Sequence, residues 1–260
     1  MASLRCSIVI PAYNESARIA LTLEKVLAHV RSEKWNAEII VVNDGSRDDT
    51  ASVVRECALQ NPNVHLLENP GNRGKGYSVR HGMLHASGDY LLFTDADLSS
   101  PIEEAGKLFD ALRLGADVAI GSRWLDSGTQ TARQSLFRQM LGRAFNLALR
   151  MILNLGFKDT QCGFKAFKLE AARAVFPRQR IEGWGFDPEL LFLAKKFKLK
   201  VSEVPVSWAH DHRSKISPVR DGMRMGVELL KIRWNSLSGK YAHAVAEACE
   251  QVIAETKRPA

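Results

Sequence analysis

The stretch Leu91-Leu92-Phe93-Thr94-Asp95-Ala96-Asp97 is an apolar run that ends on two carboxylates one residue apart. Such a run reads as a buried strand, and its end as the point where the chain leaves a core. Residues i and i+2 of an extended segment point to the same side. Oxygen-rich side chains so placed at a strand's end can share a hard divalent cation such as Mg2+ or Mn2+. Taken alone, the pair serves equally well as a turn or cap, the commoner use of Asp at such a junction.

Working outward from this stretch, the same rhythm recurs on both sides. Ser7-Ile8-Val9-Ile10-Pro11 and Glu38-Ile39-Ile40-Val41-Val42 are short β-branched runs, each closed by a turn, and Val64-His65-Leu66-Leu67 is a weaker third. Helical periodicity fills the gaps: about Ala17–Val30, with Asn14 or Ser16 as N-cap, then Asp49–Leu59, the residues up to Ala86, and Ile102–Leu114. Asp117-Val118-Ala119-Ile120 follows as a fifth strand and ends at Gly121-Ser122-Arg123. Near-continuous apolar strands alternating with helices predict an α/β fold with a mostly parallel central sheet covered on both faces. Ligands of such sheets sit beyond the carboxyl ends of the strands. Tyr13, Glu15, Asp44, Asp95, Asp97 and Arg123 all fall just past strand ends, so they are expected on one rim.

Past Arg123 the pattern loosens. Gln134–Leu155 is amphipathic, and Asp159-Thr160-Gln161-Cys162-Gly163-Phe164-Lys165 is a polar turn entering a short apolar segment. A helix is expected from Phe186 to Phe197, and an alternating strand from Lys200 to Trp208. A basic loop spans His210–Ser217, followed by an amphipathic helix from Val219 to Leu237 and a helical tail. The expected organisation is one domain over 1–240, with a ligand-binding half to 125 and a second half from 126 that carries recognition elements, and a helical tail over 241–260.

Hydrophobic residues make up 45% of the 260-residue chain and charged residues 25%, the balance of a globular protein with a real core. The formal charge of +7 favours anionic partners without choosing among nucleotides, phosphates, nucleic acid and acidic membranes. Nucleic acid is disfavoured, because no aromatic-and-basic stacking motif accompanies the charge. The cysteines Cys6, Cys57, Cys162 and Cys249 show no zinc spacing and read as the reduced thiols of a cytoplasmic protein. No apolar run reaches the ~18–20 residues that span a bilayer, so any membrane contact is expected to be peripheral. The loop Asn69-Pro70-Gly71-Asn72-Arg73-Gly74-Lys75-Gly76 has neither P-loop spacing nor the position of a dinucleotide fingerprint. It reads either as an ordinary turn or as a basic loop that lets backbone approach a ligand.

Taken together and in order, five motifs resemble the family 2 glycosyltransferases: Pro11-Ala12-Tyr13-Asn14-Glu15, Val42-Asn43-Asp44-Gly45-Ser46, Asn72-Arg73-Gly74-Lys75-Gly76, Asp95-Ala96-Asp97 and Gly121-Ser122-Arg123. In the second half, Asp159–Lys165, Trp184-Gly185-Phe186-Asp187-Pro188-Glu189-Leu190-Leu191, Val206-Ser207-Trp208 and Ser214-Lys215 are similar to the dolichyl-phosphate β-glucosyltransferase branch, close to the mannosyl enzymes. The resemblance implies a GT-A fold and a nucleotide-sugar donor, UDP-glucose before GDP-mannose. It implies a polyprenyl-phosphate acceptor, dolichyl or undecaprenyl, with a saccharide acceptor or a non-catalytic sugar-nucleotide sensor as alternatives. It implies that Pro11, Tyr13 and Glu15 hold base and ribose and that Asp44 contacts the base. Lys75 lies in the nucleotide-proximal loop, and Asp95-Ala96-Asp97 binds the donor through Mg2+ or Mn2+ on Asp95 and Asp97. Arg123, Arg138 and Lys215 match cationic positions that handle phosphates. The chain departs from the family's pattern at Asn43, where Asp is usual, and at Ser99, where the mannosyl branch carries Gln.

A hydroxyl acceptor needs a carboxylate to take its proton. A phosphate monoester, with a second pKa near ~6, is already largely dianionic at neutral pH. Asp159, and less so Asp187, is the carboxylate best placed by motif, and base, orienter of an arginine and structural group all stay open for it. The Val219–Leu237 helix carries apolar residues beside Arg220, Arg224, Lys231 and Arg233. That pattern suits either an interfacial helix on an anionic membrane surface or a helix packed on the sheet.

Overall fold

The computed structural model describes residues 3–125, 147, 149, 151–209 and 218–242, with backbone alone over 218–223. Strand β1 (Arg5–Ala12) pairs in parallel with β2 (Asn36–Asn43) on one side and β4 (Tyr90–Thr94) on the other. Beyond β2 lies β3 (Val64–Glu68), also parallel. Beyond β4 the direction reverses: β6 (Phe164–Lys168) runs antiparallel between β4 and β5 (Val118–Ser122), and β7 (Val201–Pro205) pairs in parallel with β5. The order is β3-β2-β1-β4-β6-β5-β7. The sheet is therefore mixed but mostly parallel. The strand β6, read from the sequence only as an apolar segment after a turn, is its antiparallel insertion.

Every strand in the middle of the sheet is buried on both faces, which is why the runs read as continuously apolar. Alternate residues feed two cores. Ile8, Ile10, Ile39, Val41, Leu92 and Ala119 point to one side, under α1 (Ile19–Ser32), α2 (Thr50–Gln60) and α4 (Ala105–Arg113). Val9, Ile40, Leu91, Phe93, Val118 and Phe167 point to the other, under α3 (Lys75–His85), α5 (Leu169–Val175), α6 (Phe186–Lys196) and α7 (Pro218–Leu237). Helix α3 can lie close on β1 and β2 because Gly82 has no side chain there, where a Cβ would stand 2.4 Å from a Val9 methyl.

Several local expectations change. Helix α1 starts at Ile19, and Arg18 at the N-cap position makes no side-chain capping hydrogen bond. Asn14 instead takes a left-handed backbone (φ 52°) and accepts the Arg47 N–H at 2.8 Å, tying the first loop to the second. The expected Ile102–Leu114 helix opens as a 3-10 turn over Ile102–Glu104. The strand expected to reach Trp208 ends at Pro205, and Trp208 keeps an isolated bridge. The greater part of the expected Gln134–Leu155 helix, the His210–Ser217 loop and most of the tail lie outside the described residues.

Candidate active site

The topology makes one rim. The carboxyl ends of β1, β2, β4, β5 and β7 open on the same edge, and antiparallel β6 brings its amino end there, with Thr94 opposite Phe164. The turn Asp159–Gly163 before β6 therefore faces Asp95. A Cβ on Gly163 would stand 2.3 Å from an Asp95 carboxylate oxygen, so glycine here leaves the Asp95 carboxylate its place against the turn.

The chain does not stay extended past β4. Leu98 N–H donates to Asp95 O at 3.1 Å and Leu98 has a left-handed backbone (φ 48°), so Asp95 and Asp97 stand on a tight turn. They still feel each other. Solvent reaches Asp97, yet surrounding protein first, and the Asp95 charge second, push its carboxyl above the ordinary range. Ser99 contributes its N–H to Asp97 Oδ1 at 2.9 Å. Lys75, at the start of α3, sets its ammonium 2.5 Å from Asp95 Oδ1. Burial would lower that ammonium's pKa, but Asp95, Asp187 and Asp97 together hold it above its ordinary value.

On the β2 side, Asp44 is buried and its carboxylate faces the glycine-rich loop. It accepts Asn69 Nδ2 at 2.7 Å, Arg73 N–H at 2.9 Å and Gly74 N–H at 2.8 Å. This organises the loop that carries Lys75. Asn43, at the position where the family usually carries Asp, closes the turn by accepting Ser46 N–H at 3.1 Å. Glu15 pairs with Arg18 at 2.6 Å, and its N–H donates to Thr50 Oγ1 at 2.8 Å. Pro11 and Tyr13 flank the end of β1, with Tyr13 exposed.

On the β5 side, Arg123 closes a fork on Asp159: Nε to Oδ2 at 2.7 Å, Nη2 to Oδ1 at 2.9 Å, and the backbone N–H to Oδ2 at 3.0 Å. Burial alone would raise the Asp159 carboxyl, but the guanidinium outweighs it and holds the carboxyl below the usual range. The Trp208 ring lies 5.5 Å from the same guanidinium. Deeper, Lys165 on β6 is fully buried, paired with Asp187 of α6 and donating to Cys162 O at 2.6 Å. Sequence reasoning missed Lys165 because a lysine inside an apolar run signals a surface. The one clue was Asp187, an acid in an otherwise apolar helix start that a buried cation can satisfy.

The structure thus brings Asp44, Lys75, Asp95, Asp97, Arg123 and Asp159 to one rim. Arg138 and Lys215 lie outside the described residues. Among the described residues no group of three or more His, Cys, Asp or Glu side chains is arranged to hold a metal ion. Asp95 and Asp97 offer two hard oxygen donors, and a divalent cation there needs the rest of its shell from a ligand's oxygens or water, which is the usual arrangement for Mg2+ with a diphosphate.

The model of "Glycosyl transferase family 2" matches residues 7–176. The chain is 39% identical over 236 residues to a dolichyl-phosphate beta-glucosyltransferase of Trichomonas vaginalis, covering 86% of this chain and 69% of that protein. It is 35% identical over 254 residues to the dolichyl-phosphate beta-glucosyltransferase of Saccharomyces cerevisiae, covering 90% and 76%. The corresponding human protein is 33% identical over 248 residues, again covering 90% and 76%. Among solved structures, glucosyl-3-phosphoglycerate synthase from Mycobacterium tuberculosis, in complex with Mn2+, UDP and glucosyl-3-phosphoglycerate, superposes with a TM-score of 0.65 at 20% identity, covering 88% of this chain and 80% of that one. That likeness is one of fold. With the mixed sheet, the shared rim and a family match over most of its length, this chain belongs to the family 2 glycosyltransferases, and is a glycosyltransferase of GT-A fold.

Proposed function

We propose that this enzyme moves glucose from UDP-glucose to a polyprenyl phosphate of the dolichyl or undecaprenyl type, with inversion at the anomeric carbon. The observation that carries the reading is the meeting of the Asp95–Asp97 turn, Lys75 and the Arg123–Asp159 fork on one rim. The sugar and the lipid phosphate follow the similar dolichyl-phosphate beta-glucosyltransferases.

In this reading Pro11, Tyr13 and Glu15 hold the base and ribose, and Asp44 orders the loop that carries Lys75. A Mg2+ or Mn2+ ion held by Asp97 and Asp95 would neutralise the departing diphosphate. Lys75 and Arg123 add fixed positive charge where negative charge grows as the sugar–oxygen bond breaks. Arg138 and Lys215 keep their proposed role toward the phosphates. Asp159 serves as the orienter of Arg123. Its carboxylate is engaged at both oxygens and held ionised below the usual range, which is a poor state for a general base. A phosphate acceptor has no need of one.

The acceptor's lipid calls for a surface. Val227, Leu230, Trp234 and Leu237 lie on the outer face of α7, 53–83% exposed, with Arg224 and Lys231 exposed beside them. Apolar residues and an indole flanked by cations fit the interface of an anionic bilayer, here placed on the cytoplasmic leaflet. No described helix is long and apolar enough to cross a membrane. The function is tested by incubating the protein with radiolabelled UDP-glucose, Mg2+ or Mn2+ and dolichyl or undecaprenyl phosphate. Label in the organic-extractable lipid is expected. Label transferred only to a saccharide lacking phosphate, or only from GDP-mannose, contradicts the acceptor or donor assignment respectively.

A further inference from the structure

Residues 179–185 run as a strap from the end of the 3-10 turn after α5 to the start of α6, and two buried carboxylates fasten it. Glu189, on α6, accepts the N–H of Arg180 (3.1 Å to each oxygen) and of Ile181 (2.8 Å). Glu228, on α7, accepts the N–H of Gly185 at 2.8 Å, and a Cβ on Gly183 would stand 2.3 Å from its Oε1. Tyr241, just past α7, donates its hydroxyl to Glu189 Oε1 at 2.7 Å. Glu189 and Glu228 are 0% and 7% exposed, so the strap's N–H groups, with the Tyr241 hydroxyl on Glu189 and the Arg224 guanidinium 4.0 Å from Glu228, offset the cost of their burial.

Between these anchors the strap faces the first turn of α3. Glu182 O accepts the N–H groups of Gly76 at 2.8 Å and Tyr77 at 3.2 Å, and Gln179 Nε2 donates to Gly76 O at 2.8 Å. The first N–H groups of a helix have no partner within it. In α3 no side chain caps them, and the strap's carbonyl does so instead. Gly74 allows this approach: its φ is +109° and a Cβ there would stand 2.6 Å from Glu182 O. The turn so gripped begins with Lys75, whose ammonium is on Asp95, and the strap's Trp184 ring lies 5.3 Å from that ammonium.

We propose that Glu228 and Glu189 are positioning residues: acting through the 179–185 strap, they set Lys75 against Asp95 and so fix the geometry in which the sugar nucleotide is held. The role rests on the donor reading above, while the strap itself does not. Helix α7 is the common support, since it carries Glu228 and leads into Tyr241.

The test uses the full chain and two readouts. Hydrogen exchange without ligand compares wild type with Glu228→Ala and Glu228→Gln. Calorimetric titration with UDP-glucose or GDP-mannose plus Mn2+ follows donor affinity. In Glu228→Ala the Gly76 and Tyr77 amides should exchange about tenfold faster, and the donor Kd should rise about tenfold, the scale of one lost charged hydrogen bond. Exchange in α1 and α2 should not change. Glu228→Gln, whose amide oxygen still accepts Gly185 N–H, should stay within about threefold of wild type. Should the alanine variant not fold, Tyr241→Phe keeps the ring and removes one donor to Glu189, and the Ile181, Gly76 and Tyr77 amides should then exchange measurably faster. Unchanged exchange at Gly76 and Tyr77 in a folded variant overturns the strap. Faster exchange with unchanged donor affinity overturns the positioning role. A wild type that binds neither sugar nucleotide overturns the donor reading and the positioning role with it, while the exchange arm still decides the strap.

Discussion

The two flanks of the rim hold their carboxylates in opposite ways. On the β1–β4 flank, Asp95 and Asp97 stand on a solvent-reached turn, and the Asp97 carboxyl is pushed up by crowding and by its neighbour's charge. On the β6–β5 flank, Asp159 and Asp187 are buried, and each is closed by its own cation, Arg123 and Lys165. Asp95 shares one oxygen with the Lys75 ammonium and Asp97 one with the Ser99 N–H, so a solvent-reached pair keeps a second oxygen on each carboxylate that can take up a cation and release it with product. A buried, paired carboxylate does neither, and its work is to aim or support what surrounds it. The difference separates the groups expected to meet the donor from those that shape the site.

Substitutions on the two flanks should therefore fail differently. Asp97→Ala should lower transfer by about 10²–10³-fold, the cost of one preorganised electrostatic group, and leave the melting temperature close to wild type. Steady-state transfer alongside thermal melting checks both halves, and an unstable but fully active variant breaks the contrast. Lys165→Met should do the reverse first: it leaves Asp187 buried without a charge partner and should destabilise by about 3 kcal/mol or more, whereas pairing it with Asp187→Leu should recover most of the loss. Denaturant unfolding of the single and double variants measures this.

Glu189 gives a pH signature of the same logic. Burial pushes its carboxyl up to about 7, against the pull of Ile181 and Arg180 N–H and the Tyr241 hydroxyl. The folded pKa is raised above the unfolded value of about 4.3, so its stabilising contribution is full below that value and is lost as pH rises through about 7. Wild type should thus lose stability between pH 5 and pH 8 relative to Glu189→Gln, read as the difference between their melting curves. Least of all, Arg73→Ala, at a half-exposed pair with Glu182, should change stability by only about 0–1 kcal/mol. A larger effect means that this side chain supports the strap as well.

The β1–β4 half was readable because its chemistry follows a rule. Parallel strands buried on both faces announce themselves as apolar runs, and their site residues come just after the run ends, as Asp44 and Asp95 do. The β6 flank breaks that rule. Phe164-Lys165-Ala166-Phe167-Lys168 carries a lysine in its centre, and only the spatial partner Asp187 makes a buried charge tolerable there. An antiparallel insertion also cannot be told from a turn-and-strand segment without knowing its neighbours. Local residues misled as well: Asn14, expected as a cap for α1, serves a bond between two loops, because a short polar side chain can satisfy nearby backbone in more than one way. The strap was invisible because its work is done by backbone groups, whose partners no side-chain pattern reports.

The central claim is that Asp95 and Asp97 serve a sugar nucleotide whose acceptor brings its own negative charge. The most direct test is lipid-linked transfer from radiolabelled UDP-glucose with Mg2+ or Mn2+, comparing a polyprenyl phosphate with the matching polyprenol. The account predicts organic-extractable label with the phosphate, none with the alcohol, and loss of that label on chelation or in Asp97→Ala. Equal transfer to the alcohol, or full transfer by Asp97→Ala, would contradict it.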